Sequence, residues 1–312
     1  MKVIILEGDA LATLRNLPAE SVHCCVTSPP YWGLRDYGID GQRGLEATPE
    51  EYVLNMVDIF REVRRVLRDD GTLWINLGDS YASGGRATRD PGQSTLHPAQ
   101  AKGMSRQSDP IGIKPKDLIG IPWRVAFALQ ADGWYLRQDI IWSKPNPMPE
   151  SVRDRCTKAH EYIFLLSKRE RYWFDADAIA EPYAHEYRVG PPSVGKEYSS
   201  ASGRNDAGEH RTGAGLGEAT GTRNKRSVWT VATQPFSEAH FATFPPALIE
   251  PCILAGCPAG GTVLDPFGGA GTTGLVADRL QRNALLIELN PEYAEMARKR
   301  IRGDSPLFAE VA

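Results

Sequence analysis

The chain of 312 residues contains few cysteines and no long apolar run. Its five cysteines form no Cys-x-x-Cys pair and have no spacing to histidine that is typical of a metal site. This pattern predicts buried thiols in a reducing compartment and no bound metal. No apolar stretch is long enough to span a bilayer, and Glu7 and Asp9 interrupt the first one, which argues against a signal peptide. We therefore expect a cytoplasmic protein without a membrane partner.

The chain also lacks a strong charge of one sign. Its formal net charge is −3 at pH 7, whereas proteins that bind nucleic acid are commonly basic. Any surface that binds a polyanion must therefore be local. The length suits one α/β domain with a substantial insertion better than two equal domains.

The stretch 263–290 has the order of a nucleotide-binding half-fold: apolar strand, glycine loop, helix, second apolar strand and terminal acid. The glycines of the loop are Gly268, Gly269 and Gly271. Glu288 ends the second strand, and a carboxylate about 20 residues after such a loop can accept both ribose hydroxyls. The loop lacks the Gly-x-Gly-x-x-Gly of dinucleotide sites and the Gly-Lys-Ser/Thr of a P-loop. Asp265 before the loop would repel a pyrophosphate and attract a cationic ligand such as S-adenosylmethionine.

A second motif, Thr-Ser-Pro-Pro-Tyr-Trp at 27–32, follows the apolar run 22–26. The exocyclic amine of cytosine or adenine is a weak nucleophile because its lone pair is conjugated into the ring. Oxygen acceptors from Ser28 and the Pro29 carbonyl, aimed at the N–H bonds, would free that lone pair. Tyr31 can stack on a base flipped out of the duplex. The alternative interpretation is a proline turn that closes a strand and has no chemical role.

The sequence Asp-Pro-Phe-Gly-Gly-Ala-Gly-Thr-Thr at 265–273, together with Ser-Pro-Pro-Tyr-Trp at 28–32, resembles the DNA amino-methyltransferases. The catalytic motif precedes the cofactor loop, an order similar to the β class of that family. The resemblance is weakest across about 183–226. It implies a Rossmann-like, doubly wound, mostly parallel sheet that is circularly permuted, with an antiparallel hairpin strand and a recognition insertion. It also implies S-adenosyl-L-methionine as cofactor and double-stranded DNA as substrate.

The resemblance assigns roles to individual residues. The catalytic motif is Ser28, Pro29, Pro30 and Tyr31. The residues expected to bind the cofactor are Asp9, Asp265, Phe267, Gly268, Gly269, Gly271, Thr272, Thr273, Glu288 and Asn290. Those expected to contact the target base or DNA are Trp32, Trp142, Lys144, Asn146, Arg204, Arg211, Arg223, Lys225 and Arg226. For 142–146 a strand end with a solvated lysine is an equal alternative, and for the arginine-rich segment a flexible surface insertion is the alternative.

The order of the motifs predicts three parts of the chain. Residues 1–182 form the catalytic half of the methyltransferase domain, 183–227 the target-recognition insertion, and 228–312 the cofactor-binding half. Local patterns further predict a turn at 69–71 and a helix over 116–131.

The resemblance leaves the target amine open between two bases. Serine at the first motif position is found mostly with cytosine N4, and Asp or Asn mostly with adenine N6. We therefore expect a site-specific enzyme that methylates N4 of cytosine by base flipping and direct displacement. DNA adenine N6 is the main alternative, and an RNA or protein amine is less favoured. Enzymes of this type can have a restriction endonuclease as functional partner, and monomer and homodimer both stay open.

Methylation of cytosine C5 needs a different group, a cysteine thiolate that attacks the base. Cys252 follows a proline but lies in a helix-like run without a neighbouring cation to lower its pKa. The pattern therefore predicts that Cys252 is a core residue.

Overall fold

The computed structural model describes residues 1–34, 36, 38–82, 113–182, 221–234, 243–304 and 310–311. The strands are β1 (Lys2–Glu7), β2 (Val22–Thr27), β3 (Leu67–Leu77), β4 (Tyr135–Ser143), β5 (His160–Ser167), β6 (Glu181–Pro182), β7 (Thr222–Arg223), β8 (Val228–Thr230), β9 (Thr262–Asp265), β10 (Asn283–Glu288) and β11 (Glu310–Val311). The helices are α1 (Ala10–Asn16), α2 (Pro49–Val66), α3 (Ile121–Ala131), α4 (Pro246–Gly256), α5 (Thr272–Arg279) and α6 (Pro291–Asp304). A 3-10 turn covers Asp177–Ile179. Within these ranges no helix is long and apolar enough to cross a membrane.

Nine of the strands form one sheet in the order β11-β1-β10-β9-β2-β3-β5-β4-β8. In this sheet β5 runs antiparallel to both neighbours, β3 and β4, and every other pair is parallel. The expected mostly parallel sheet with an antiparallel hairpin strand is therefore confirmed. The first strand of the chain lies between β10 and β11, so strands from both ends of the sequence share one side of the sheet.

Both faces of the sheet are covered by helices because its central strands alternate between two apolar cores. Val26 and Trp74 face the core that α4, α5 and α6 cover, whereas Cys25 and Ile75 face the core that α1, α2 and α3 cover. A ligand therefore reaches this sheet most readily at the ends of its strands.

Polar caps fix where the helices begin. The Asp9 carboxylate accepts a hydrogen bond of 2.9 Å from the Ala12 N–H and starts α1. The Thr48 hydroxyl accepts a bond of 3.1 Å from the Glu51 N–H, and Pro49 occupies the first position of α2. Both caps follow directly from the local sequence.

Three local predictions are wrong. Helix α3 begins at Ile121 and not at Lys116, because Lys116 and Gly120 have left-handed φ angles of +71° and +77°. Strand β3 begins at Leu67, and the predicted turn 69–71 lies inside it, where the pairing with β2 shifts register. Four cysteines are buried, Cys252 among them, but Cys156 is exposed.

Candidate active site

The two sequence motifs meet at one edge of the sheet. The connection β9–α5–β10 winds toward β1, and β2–α2–β3 winds the opposite way, so the winding reverses between the neighbouring parallel strands β9 and β2. In doubly wound sheets, ligands bind in the crevice at such a reversal, beyond the carboxyl ends of the strands. Thr27 ends β2, Asp265 ends β9 and Glu288 ends β10. The predicted catalytic and cofactor segments are thus brought together.

Asp265 connects these segments by hydrogen bonds. The hydroxyls of Thr27 and Thr273 donate to its two carboxylate oxygens, each at 2.6 Å, and the Phe267 N–H donates at 3.0 Å. The residue is 1% exposed. Burial raises its pKa, and the three donors oppose that shift. Asp265 therefore ties the ends of β2 and β9 to the first turn of α5.

The glycines of the loop have two different surroundings. A Cβ on Gly271 would lie 2.7 Å from the Ala297 Cβ, and one on Gly268 would lie 3.1 Å from the Leu286 Cβ. These two glycines let the loop pack against α6 and β10. A Cβ on Gly269 would meet only the Phe267 carbonyl oxygen, at 3.9 Å. The backbone at Gly269 is therefore the part of the loop that a ligand can approach closely.

Glu288 binds the loop from the end of β10. One carboxylate oxygen accepts a bond of 2.7 Å from the Gly269 N–H and the other a bond of 2.8 Å from the Asn290 N–H. Burial raises its pKa, against the effect of these two donors and of the Leu289 backbone. A carboxylate offers about four acceptor positions on its two oxygens, so Glu288 can accept from a further donor. On the neighbouring strand end, Asp9 lies 3.4 Å from Arg43.

The catalytic motif leads into a hydrogen-bonded network. The Tyr31 hydroxyl donates to a Glu161 carboxylate oxygen at 2.7 Å and lies 3.0 Å from the Asn76 amide oxygen. The Ser28 hydroxyl lies 3.4 Å from the Tyr31 hydroxyl and 3.3 Å from the Asn76 amide oxygen. Burial, and then the negative charge of Glu161, raise the pKa of Tyr31 well above its ordinary value. Tyr31 is therefore a neutral phenol that can donate.

Sequence reasoning missed Glu161 and Asn76. The Asn76 amide group donates to Glu161 at 3.2 Å and to the Tyr162 carbonyl at 3.1 Å. Lys144 forms an ion pair with the other Glu161 oxygen, and its ammonium lies 4.2 Å from the Trp142 ring centroid. The available signal was a polar residue inside or beside an apolar strand, as in the run Leu-Trp-Ile-Asn-Leu at 73–77.

Three of the predicted substrate residues contact other parts of the protein. Trp32 and Trp142 are buried, and their indole N–H groups donate to the carbonyls of Glu46 at 2.9 Å and Val231 at 2.8 Å. Asn146 exchanges bonds of 3.0 and 3.3 Å with the backbone of Thr233. These contacts fix the path of the chain beside Lys144.

The predicted recognition insertion begins and ends at a two-stranded antiparallel ribbon, β6 with β7. Arg223, Lys225 and Arg226 surround Glu181 at distances of 3.6, 3.7 and 3.0 Å. One carboxylate among three cations leaves an excess of positive charge at this ribbon. Arg204 and Arg211 lie outside the described residues.

Comparison with known proteins decides the family. The model of a DNA methylase family, which groups N6 and N4 methyltransferases, matches residues 22–299. The chain belongs to this DNA methylase family. The methylase is 50% identical over 308 residues to the type II methyltransferase M.Cfr9I of Citrobacter freundii, covering 99% of this chain and 90% of that protein. It is also 50% identical over 298 residues to the type II methyltransferase M.SmaI of Serratia marcescens, with 95% and 90% covered.

Solved structures show the same fold. The methylase matches the TTHA0409 protein of Thermus thermophilus, complexed with S-adenosyl-L-methionine, with a TM-score of 0.61, 25% identity and coverage of 100% and 98%. It matches PvuII DNA methyltransferase (cytosine-N4-specific) with a TM-score of 0.62, 19% identity and coverage of 95% and 86%. This chain is an S-adenosyl-L-methionine-dependent DNA methyltransferase with the α/β fold of that class.

Proposed function

We propose that this methylase transfers a methyl group to the exocyclic N4 of cytosine in duplex DNA, at a specific recognition sequence. The observation that carries the proposal is the position of Ser28, directly after β2 and at the same sheet edge as the glycine loop. A serine hydroxyl is the acceptor that this motif carries mostly in cytosine N4 enzymes. The two type II relatives at 50% identity support a site-specific DNA substrate.

The chain's residues activate and align the amine. The Ser28 hydroxyl oxygen and the Pro29 carbonyl oxygen accept hydrogen bonds from the two N–H groups of the amine. This releases the nitrogen lone pair for direct displacement at the methyl carbon. Pro29 has no N–H of its own to compete for these positions. The Tyr31 ring stacks on the base after it leaves the duplex. The Tyr52 hydroxyl supports this motif, since it donates to the Pro30 carbonyl at 3.0 Å.

The glycine loop fits the cofactor, which supplies an electrophilic methyl group on a sulfonium. The open backbone at Gly269 gives space for close approach. The Glu288 carboxylate, at the end of β10, can accept hydrogen bonds from the ribose hydroxyls. The negative charge of Asp265 favours the sulfonium and amino groups, and Asp9 lies at the adenine end. The remaining residues of this site are Phe267, Gly268, Gly271, Thr272, Thr273 and Asn290.

We assign DNA recognition to the middle part of the chain, 183–227, between the catalytic half 1–182 and the cofactor half 228–312. The excess positive charge around Glu181 supports this assignment, because phosphates can replace that carboxylate as partners of Arg223 and Arg226. Lys144 and Asn146 lie beside the base pocket. The enzyme acts in the cytoplasm and forms a restriction-modification pair with an endonuclease, as the type II relatives suggest.

Methylation of adenine N6 is the second candidate. The Asn76 amide oxygen lies 3.3 Å from the Ser28 hydroxyl, and a carboxamide is the group that the catalytic motif itself carries in many adenine enzymes. The Asn76 amide already forms hydrogen bonds with Tyr31, Glu161 and the Tyr162 carbonyl of β5. Because its groups are occupied in this way, Ser28 is favoured as the acceptor for the substrate.

The test incubates unmethylated duplex DNA with the protein and isotope-labelled S-adenosylmethionine and identifies the labelled nucleoside by mass spectrometry. Labelled N4-methylcytosine is the expected product, and N6-methyladenine would overturn the choice of base. Absence of label in DNA, with cofactor binding intact, would overturn the DNA substrate. The matched variant Ser28→Ala should lose activity by about 10-fold or more while it still binds the cofactor.

A further inference from the structure

A continuous series of hydrogen-bonding groups leads from the catalytic serine to the protein surface. We call Ser28, Tyr31, Glu161 and Lys144 the relay chain. The Ser28 hydroxyl lies 3.4 Å from the Tyr31 hydroxyl, which lies 2.7 Å from Glu161, and Glu161 is paired with Lys144. The first distance is long, as catalytic hydrogen bonds often are before substrate binds. The side chains of Glu161 and Lys144 are 16% and 17% exposed, so the relay chain reaches solvent at these two residues.

The proposed reaction creates a need for such a path. When the amine nitrogen forms its bond to carbon, the carbon–sulfur bond breaks and sulfur keeps the electron pair. The nitrogen now carries two protons, the new methyl group and a positive charge. One proton must leave to give the neutral methylamine, and the amine is enclosed in a pocket at that moment. This inference therefore rests on the proposed transfer to an exocyclic amine, whichever base carries it.

We propose that the relay chain removes this proton. As the nitrogen gives a proton to the Ser28 hydroxyl oxygen, Ser28 passes its own proton to the Tyr31 oxygen, and Tyr31 passes its own to Glu161. Each hydroxyl ends with one proton, the methylated amine is neutral, and Glu161 becomes a carboxylic acid that later releases the proton to water. No further reactant is needed. In this step Tyr31 and Glu161 reach the amine only through Ser28.

The surroundings of Glu161 suit a proton acceptor. Tyr31, Asn76 and Lys144 all donate to its two oxygens, an arrangement that a carboxylate satisfies because it only accepts. Lys144 approaches it from the position after β4, and Tyr31 from the catalytic motif. Lys158 and His160 lie just before and at the start of β5. The charges of Lys144 and Lys158 hold the carboxylate in place.

Other side chains near the catalytic motif that can accept a proton lack this connection to Ser28. Both Asp265 oxygens accept bonds from threonine hydroxyls, and the residue is buried behind them. The His160 Nε2 atom lies 3.4 Å from the Tyr162 hydroxyl, which makes no hydrogen bond to Ser28 among the described residues. Among the described residues, the side-chain hydrogen bonds of Ser28 lead only to Tyr31 and Asn76. Because the Asn76 amide oxygen does not pass on a proton, the route runs through Tyr31.

The test compares Tyr31→Phe, Glu161→Gln and the double variant. Phenylalanine keeps the ring that stacks on the base, and glutamine keeps the shape of the side chain, so each variant removes one proton step. We expect each to lower kcat by about 100-fold, while KM for DNA and the Kd of S-adenosylmethionine change by less than about twofold. Because the two groups act in series, the double variant should lose no more than the slower single variant.

The control is Glu62→Gln, which breaks an ion pair of 2.7 Å with Arg65 on α2, away from the relay chain. It should keep the wild-type kcat, and all variants should unfold at similar temperatures. The relay is refuted if Glu161→Gln keeps the wild-type kcat, if the two losses multiply in the double variant, or if KM for DNA rises instead. The labelled product of the wild-type enzyme reports separately on the proposed function, because the base it identifies does not depend on these variants.

Discussion

Two glycines of the cofactor loop, Gly269 and Gly271, provide a matched pair of substitutions to alanine. Both residues have a left-handed backbone, with φ angles of +50° and +75°. A non-glycine residue in this region costs about 1–2 kcal/mol, and the lower flexibility of the unfolded alanine chain offsets about 0.4–1 kcal/mol. The backbone term is therefore similar at the two positions and leaves a net cost of roughly 1 kcal/mol.

Packing distinguishes the pair. The new Cβ at 271 would lie 2.7 Å from the Ala297 Cβ and 3.2 Å from its Cα, so α6 must shift. Overpacking of this kind costs about 1–3 kcal/mol. The new Cβ at 269 meets only one atom, at 3.9 Å, and adds no such cost. Gly271→Ala should thus be about 1–3 kcal/mol less stable than Gly269→Ala.

The assay is equilibrium unfolding in urea without cofactor, followed by titration with S-adenosylmethionine. Gly269→Ala should be the more stable of the two variants. It should nevertheless bind the cofactor more weakly than the wild type does, because the added methyl group occupies space that the cofactor needs beside the backbone. We expect it to lose at least about tenfold in affinity, equivalent to about 1.4 kcal/mol. Equal losses of stability in the two variants would refute the packing argument, and unchanged affinity in Gly269→Ala would refute the placement of the cofactor.

Two further predictions concern buried ionisable groups. Because burial raises the Asp265 pKa above its ordinary value of 3.8, the folded state keeps its proton longer than the unfolded state does, and stability falls as pH rises from about 4 to the raised pKa. Asp265→Asn should remove this pH-dependent loss, so the free energy of unfolding of the variant in urea should rise relative to that of the wild type as pH increases across that window. The affinity of the variant for S-adenosylmethionine should fall. A difference in stability that does not change with pH would contradict the shift. In the native protein a thiol reagent should label Cys156 rapidly and the other four cysteines only after unfolding. Those four are buried, and burial raises the pKa of Cys257 to about 12. The control is Cys156→Ser, which should lose the rapid labelling, and rapid labelling that persists in this variant would contradict the assignment.

Local sequence was sufficient for most of the fold. The strand, loop, helix and strand of 262–288 could be predicted because apolar runs alternate there with glycines and end at an acid. The start of α2 followed from Thr48 and Pro49. The start of α3 was missed although Gly120 and Pro122 mark it in the sequence. The left-handed backbone at Lys116, which lies in the preceding loop, has no such sequence signal.

The contacts that assemble the candidate site are not local. Thr27 and Asp265 are 238 residues apart, and Tyr31 and Glu161 are 130 residues apart. Hydrophobic periodicity places each residue on its strand but does not specify which strands become neighbours. The roles of Asp265 and Glu161 as hydrogen-bonding centres therefore emerge only from the order of strands in the sheet.

The ribbon formed by β6 and β7 has a consequence for how this enzyme can change. It places Pro182 opposite Thr222, so the intervening segment leaves and re-enters the fold at one point. The entropy of closing a loop grows slowly with its length, by about 0.6 kcal/mol for each doubling. A segment of different length or composition can therefore be inserted there with little effect on the sheet. Under the proposed assignment of DNA recognition to this segment, such a junction lets lineages, or protein engineers, exchange one DNA specificity for another while the methyl-transfer chemistry stays the same.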